Sequence, residues 1–187
     1  MTLHSVPAAF RRSGAAAEAV QAPTPARGLG LKQAMRTLAG GVSVVTAGIG
    51  DGRTGATVTS AHSLSMEPET MAVSINLASS TWEAIRRHGL FCVNVLRADQ
   101  RAVADRFAGF GGLKGASRYE GADWHPLVTG ALALEGALAA IDCEVEHVIE
   151  RHSHALVLGT VRAVEVSQGP GLVWVDGRYA ELAERSD

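Results

Sequence analysis

A mainly β fold, a barrel or sandwich with a few short helices, is what this sequence predicts. Three observations carry that reading. Short β-branched runs recur along the chain, turn residues separate them, and one late segment alternates between apolar and charged residues.

The elements follow in order. Residues 1–29 are rich in Ala, Pro and Gly without a periodic apolar face, and Pro23-Thr24-Pro25 breaks any helix, so they read as a flexible leader. A single domain is expected over 30–187. Leu31, Ala34, Met35 and Leu38 share one face of a short helix that Gly40-Gly41 stops. Val42 to Ala47 is a β-branched strand, and Asp51-Gly52 reads as a tight hairpin turn whose central residues take positive φ. Thr54 to Ala61 returns as the second strand. Thr70 to Asn76, after Pro68, and Leu90 to Leu96 are the third and fourth. Thr81 to Arg87 and Ala98 to Ala108 read as helices, the first capped by Ser80 or Thr81, the second with Asp99 in its first turn. Residues 109–130, with Gly109, Gly111, Gly112, Gly115 and Gly121, read as a long loop. Ile141, Cys143, Val145, His147 and Ile149 alternate with acids, the pattern of a strand with one wet face. His154 to Val166, Leu172 to Val175 and Arg178 to Leu182 complete the strands.

Composition narrows the function classes. Apolar residues make up 47 % of the 187 residues and charged ones 19 %, which is globular rather than disordered. A net charge of −2 leaves no electrostatic footprint for nucleic acid or an anionic membrane. No apolar run reaches the roughly 18 residues a membrane helix needs. Arg11-Arg12 is followed by Ala and Glu18 rather than an apolar core, so an export signal is not expected. Cys92 and Cys143 lie far apart in apolar runs, outside any CxxC, and read as buried thiols in a reducing, cytoplasmic setting.

Three constellations bear on chemistry. Thr57-Val58-Thr59-Ser60-Ala61-His62-Ser63-Leu64-Ser65 is rich in hydroxyls where a strand meets a loop, offering donors and acceptors to a polar heterocycle or a phosphate ester. A solvated edge strand explains it equally well. Asn76-Leu77-Ala78-Ser79-Ser80-Thr81 puts three hydroxyls where a strand ends and a helix starts, a place where free amides and the helix dipole favour an anion. Plain N-capping needs only one of them. His152-Ser153-His154 would aim two imidazoles the same way on a strand, yet no further ligand at metal-site spacing completes a site, so no metal is assigned. There is no GxGxxG after a strand, no P-loop ending, no GxSxG and no HExxH.

In order, the following stretches resemble the short-chain flavin reductase family, the reductase components of two-component flavin-dependent monooxygenases. They are Gly41-Val42-Ser43-Val44-Val45-Thr46, Gly55-Ala56-Thr57-Val58-Thr59-Ser60, Ser63-Leu64-Ser65, Ser79-Ser80-Thr81 with Ile85, and Phe91-Cys92-Val93-Asn94-Val95-Leu96. Asp99-Gln100, Arg106-Phe107-Ala108, Cys143-Glu144-Val145, His154, Gly159, Val161 and Gly177-Arg178-Tyr179 follow, so the resemblance runs from about 31 to 182. It implies an FMN-binding split β-barrel, usually a homodimer, reducing FMN or FAD with NADH or NADPH for a partner monooxygenase. It implies that Thr57, Val58, Thr59, Ser60 and Ser63 line the flavin, and that Asn76, Ser79, Ser80 and Thr81 hold its phosphate. Asn94 and Gln100 are further flavin positions, while His154, Arg178 and Tyr179 lie on the nicotinamide side. The same residues leave room for a non-catalytic flavin carrier or sensor, or a flavoenzyme like the pyridoxamine-phosphate oxidases.

Overall fold

The computed structural model describes residues 30–182. The expected leader at 1–29 lies outside the described residues. Helix α1 (Leu31–Arg36) is a short turn-and-a-half held by Gln33 N–H and Ala34 N–H donating to the Gly30 carbonyl.

From there the chain is mainly β. The strands are β1 (Gly40–Gly41), β2 (Ser43–Ala47), β3 (Thr54–Val58), β4 (His62–Met66), β5 (Glu69–Asn76) and β6 (Leu90–Val95). Then follow β7 (Trp124–Pro126), β8 (Leu132–Leu134), β9 (Ala139–Arg151), β10 (His154–Val166), β11 (Leu172–Val175) and β12 (Arg178–Glu181). Helices α2 (Ser80–His88) and α3 (Arg101–Phe107) interrupt them. The main sheet has seven strands in the order β3-β2-β6-β9-β10-β5-β4, beside a three-stranded sheet β1-β11-β12 and the pair β7-β8. The described pairings are antiparallel.

The large sheet wraps into a barrel. Val45 of β2 and Val73 of β5 stand at distant places in its order, yet both belong to one buried cluster with Phe91, Cys143 and Val157. The terminal strands β3 and β4 are not paired with each other, which leaves the barrel split between them. The Ser60 hydroxyl, on the short link that joins them, donates to the Ser74 carbonyl of β5 at 3.1 Å. Every residue of β2 is buried: Val45 and Ala47 face the barrel, while Val44, with Val42 just before the strand, packs with Phe107 and Leu172 outside it. That two-sided burial is why this segment reads as a continuous apolar run rather than an alternating one.

Several sequence expectations are corrected. The hairpin between β2 and β3 exists, but Asp51-Gly52 is not its positive-φ pair. The left-handed residues are Gly48 (φ 83) and Gly50 (φ 58), followed by a 3₁₀ turn at Gly50–Gly52. The two-residue turn occurs at Asp176-Gly177, with φ 51 and 77, between β11 and β12. The second strand stops at Val58 rather than Ala61, and residues 62–66, read as leaving a strand for a loop, form β4, paired back onto β5. The cap of α2 is Ser79, one residue before the expected pair. His152 takes φ 51 in the turn between β9 and β10, so it does not share a strand with His154. Cys92 and Cys143 are buried free thiols, as expected.

Candidate functional site

Strand β3 connects two neighbourhoods of different character, a polar one at the start of α2 and a mostly apolar one beside α3. Its alternation sends Thr54 one way and Thr57 the other. On the first face the Thr54 hydroxyl lies 3.0 Å from the Ser80 hydroxyl at the start of α2. On the opposite face the Thr57 hydroxyl donates to the Ala104 carbonyl of α3 at 2.5 Å.

Beyond Thr57 a cavity of about 340 Å³ opens, lined by Thr57, Val58 and Thr59 and faced by Trp174 and Tyr179, with Val42, Ala108 and Phe110 completing the wall. Trp174 and Tyr179 are cross-strand partners on β11 and β12, packed edge to face with ring centroids 4.8 Å apart. The Arg101 guanidinium sits 5.1 Å from the Tyr179 ring centre. Burial, then hydrogen bonding to the Asp105 carboxylate, push the Tyr179 phenol up to about 12. Tyr179 is therefore neutral at physiological pH and presents an oriented aromatic face. This is a mostly apolar, aromatic-walled slot, the kind of surface that takes a flat heterocycle.

At the other neighbourhood the three hydroxyls of α2 have three different fates. Ser79 caps the helix: its hydroxyl accepts from Trp82 N–H at 3.1 Å and donates to the Asn76 carbonyl at 2.7 Å. Asn76 folds its own side chain back, accepting from Ala78 N–H at 2.8 Å. Ser80 ties the helix to Thr54. Thr81 is only 1 % exposed, and its hydroxyl has no partner among the described residues. Native structures rarely leave such a group unpaired, and strain, a functional role or a bound water or ion is the usual reason.

The remaining sequence candidates are distributed as follows. His154 pairs in register with Asn76, and its Nδ1 lies 2.9 Å from the Ser153 hydroxyl, so it belongs to the α2 end. Arg178 and Tyr179 belong to the β12 side, Tyr179 lining the cavity. Among the described residues no hydrogen bond, ion pair or ring contact joins either to His154. Ser63 lies exposed on β4 opposite Met71. Asn94 is fully buried in β6, donating to the Val44 carbonyl at 3.1 Å and accepting from Leu134 N–H at 2.7 Å. Gln100 accepts from Arg97 N–H at 3.0 Å and donates to the Glu135 carbonyl at 3.3 Å. Both amides are spent on the protein's own backbone.

Sequence reading missed Trp174 and Phe110. Trp174 carried a usable signal, because an Asp-Gly turn at 176–177 places residues 174 and 179 opposite each other. Phe110 stood in a glycine-rich stretch read only as a loop.

Known proteins resemble this chain in sequence and in fold. Residues 35–183 match the flavin reductase like domain family. The chain is 38 % identical over 160 residues to the FMN reductase (NADH) RutF 2 of Methylorubrum extorquens (strain PA1), covering 83 % of this chain and 90 % of that protein. BorF, the flavin reductase component of a bacterial two-component tryptophan halogenase, superposes with a TM-score of 0.76 at 28 % identity, over 83 % of this chain and 98 % of BorF. The NADH:FAD oxidoreductase SgcE6 of Streptomyces globisporus C-1027, solved with NAD and FAD fragments, gives 0.76 at 26 % identity over 84 % and 93 %. With the family matched across the whole barrel, the chain belongs to the flavin reductase like domain family.

Proposed function

We propose that this protein is an NADH-dependent flavin reductase that delivers reduced flavin, FMN foremost, to a partner monooxygenase. The observation that carries the reading is the aromatic-walled cavity at the end of β3, where Thr57 to Thr59 meet Trp174 and Tyr179. The residues present suit the cofactor. The slot takes a planar ring, and the start of α2 adds helix-end amides and the unpartnered Thr81 hydroxyl for a phosphate. Because β3 ends the seven-stranded order, no strand among the described residues pairs with its outer edge, which leaves a ligand room to touch both faces there.

The chemistry, hydride transfer from nicotinamide to the flavin ring, belongs to the two cofactors and requires no acid–base triad. What the chain supplies is binding, orientation and exclusion of water. Thr57, Val58, Thr59, Ser60 and Ser63 are assigned to the flavin, with Asn76, Ser79, Ser80 and Thr81 at its phosphate. Arg178 is assigned to the nicotinamide, and Tyr179 to the aromatic wall that the flavin and the nicotinamide share. His154 acts as a positioning residue rather than a proton donor. Asn94 leaves the binding set, since its fully buried amide is occupied by backbone groups, whereas the half-buried Gln100 stays in it.

Two further parts of the reading concern assembly and location. A homodimer is supported by the exposed apolar side chains on edge strand β4, Leu64 and Met66, which a second subunit would cover. Cytoplasmic location is supported by two free thiols in a chain whose described helices include none long and apolar enough to cross a membrane.

The test is steady-state oxidation of NADH and NADPH with and without added FMN or FAD. Flavin-dependent turnover, faster with NADH, is expected; no flavin-dependent turnover with either nucleotide sinks the assignment. For His154→Ala, a fall in kcat/KM of about tenfold or more fits a positioning role, and a smaller change removes it.

A further inference from the structure

The wall of the cavity is held unevenly. Trp174 and Tyr179 brace each other, and Val42 is buried, whereas Phe110 stands 63 % exposed at the same cavity. Its exposure has a structural origin. The chain between Phe107 and Leu113 is pinned at both ends by one side chain, Arg118, whose guanidinium donates to the Phe107 carbonyl at 3.4 Å and to the Leu113 carbonyl at 3.0 Å. The same guanidinium also donates to the Gly55 carbonyl of β3, so the two ends are tied to the strand that lines the cavity.

Between those pins the segment has little to hold it. Gly109, Gly111 and Gly112 all take left-handed φ, at 90, 76 and 71. A Cβ built on Gly111 or Gly112 would meet nothing within 4 Å. Its backbone bonds among the described residues are short-range: Ala108 N–H to the Ala104 carbonyl at 2.9 Å, then Gly109 N–H to the Arg106 carbonyl and Gly112 N–H to the Gly109 carbonyl, both at 3.2 Å. Few packing contacts and fixed ends describe an arc that moves without disturbing the barrel. Phe110 is its one large side chain.

We propose that Phe110 is the aromatic cover of this cavity, and that the arc from Ala108 to Gly112 turns about its Arg118-pinned ends to lay the ring on the flavin held there. The inference rests on the flavin reductase reading and adds to it the residue that sets flavin residence. An aromatic face laid on a ring that is already walled by Trp174 and Tyr179 excludes water from its open side and slows its release. Flavin retention is then governed by an apolar cover rather than by charge at the phosphate.

The experiment compares wild type, Phe110→Ala and Phe110→Tyr by titrating FMN fluorescence quenching and by stopped-flow FMN release. Because the ring is exposed, neither substitution removes core packing, and the melting temperatures of the three unliganded proteins should agree. Phe110→Ala is expected to raise the FMN Kd by about tenfold, chiefly through faster release, while Phe110→Tyr stays within about twofold. The proposal is overturned if wild type binds FMN and Phe110→Ala binds it within about twofold as tightly, or if alanine and tyrosine weaken it equally. Wild type that binds no flavin at all fails differently: it removes the flavin reading itself, and this proposal with it.

Discussion

Gly159 of β10 faces the ring of Phe91 of β6 over the intervening strand β9 so closely that a Cβ placed on it would lie 2.6 Å from two ring carbons. A Cβ there also comes within 3.0 Å of the Cys143 Cβ. Phe91 is fully buried, so its ring has nowhere to retreat without displacing Val45, Val73 or Val157. The glycine is needed for space, not for an unusual φ.

Gly159→Ala should therefore destabilise the protein by about 1–3 kcal/mol, the usual cost of overpacking a closed core. Urea unfolding measures it. Adding Phe91→Leu should make the second substitution cheaper in the Gly159→Ala background than in wild type. Simple additivity of the two would show that the Gly159 to Phe91 approach is not the cause.

Thr81 gives a prediction of opposite sign. Its hydroxyl is buried with no partner among the described residues, so in the unliganded protein it costs stability. Thr81→Val keeps the shape and removes the unpaired group, and should raise unliganded stability by roughly 1 kcal/mol while weakening FMN binding about fivefold to tenfold. A variant that loses stability without flavin would show that the hydroxyl is not an uncompensated one.

How much of this was legible in the sequence depended on whether a signal was local. The β9 and β10 strands follow from period-two alternation and from β-branched residues, and both were read nearly to their ends. Strand β4 was missed because Ser63 and Ser65 have no strand signature of their own; it exists because β5 offers it an edge. The same Asp-Gly chemistry occurs at 51–52 and at 176–177, and only register with the paired strands decides which becomes the tight turn. In the site, the run from Thr57 to Thr59 was visible as a cluster of hydroxyls, whereas the Trp174 and Tyr179 wall depends on a hairpin brought from the far end of the chain. Asn94, read as a ligand residue, is held by Val44 and Leu134, partners about 50 and 40 positions away that no local pattern reveals.

That placement of Asn94 can be tested directly. Asn94→Ala leaves the Val44 carbonyl and the Leu134 N–H without their side-chain partner in a site that water does not reach. The expected loss is about 2–4 kcal/mol, with the FMN Kd of the folded fraction within about twofold of wild type. A variant of near-normal stability that binds flavin poorly would return Asn94 to the ligand set.

The two thiols contribute to the pH dependence, beside the raised phenols of Tyr119 and Tyr179. Burial pushes the Cys143 thiol up to about 12, with Asp142 adding to the shift, and Cys92 is raised by burial and then by the same carboxylate. A folded-state value above the unfolded one means that the folded protein holds the proton more tightly. The resulting stability is complete below the ordinary thiol range near 8.5, shrinks as the unfolded chain ionises above it, and is gone once pH has risen through the folded value. Urea midpoints should therefore fall between pH 9 and 10. Replacing Cys143 by Ala should make that decline shallower by about 1 kcal/mol per pH unit. In the native protein at pH 8 both thiols should resist iodoacetamide, because the thiolate is the nucleophile and burial suppresses it. Rapid native alkylation of both, or a decline with pH unchanged by Cys143→Ala, would show that these thiols do not carry the effect.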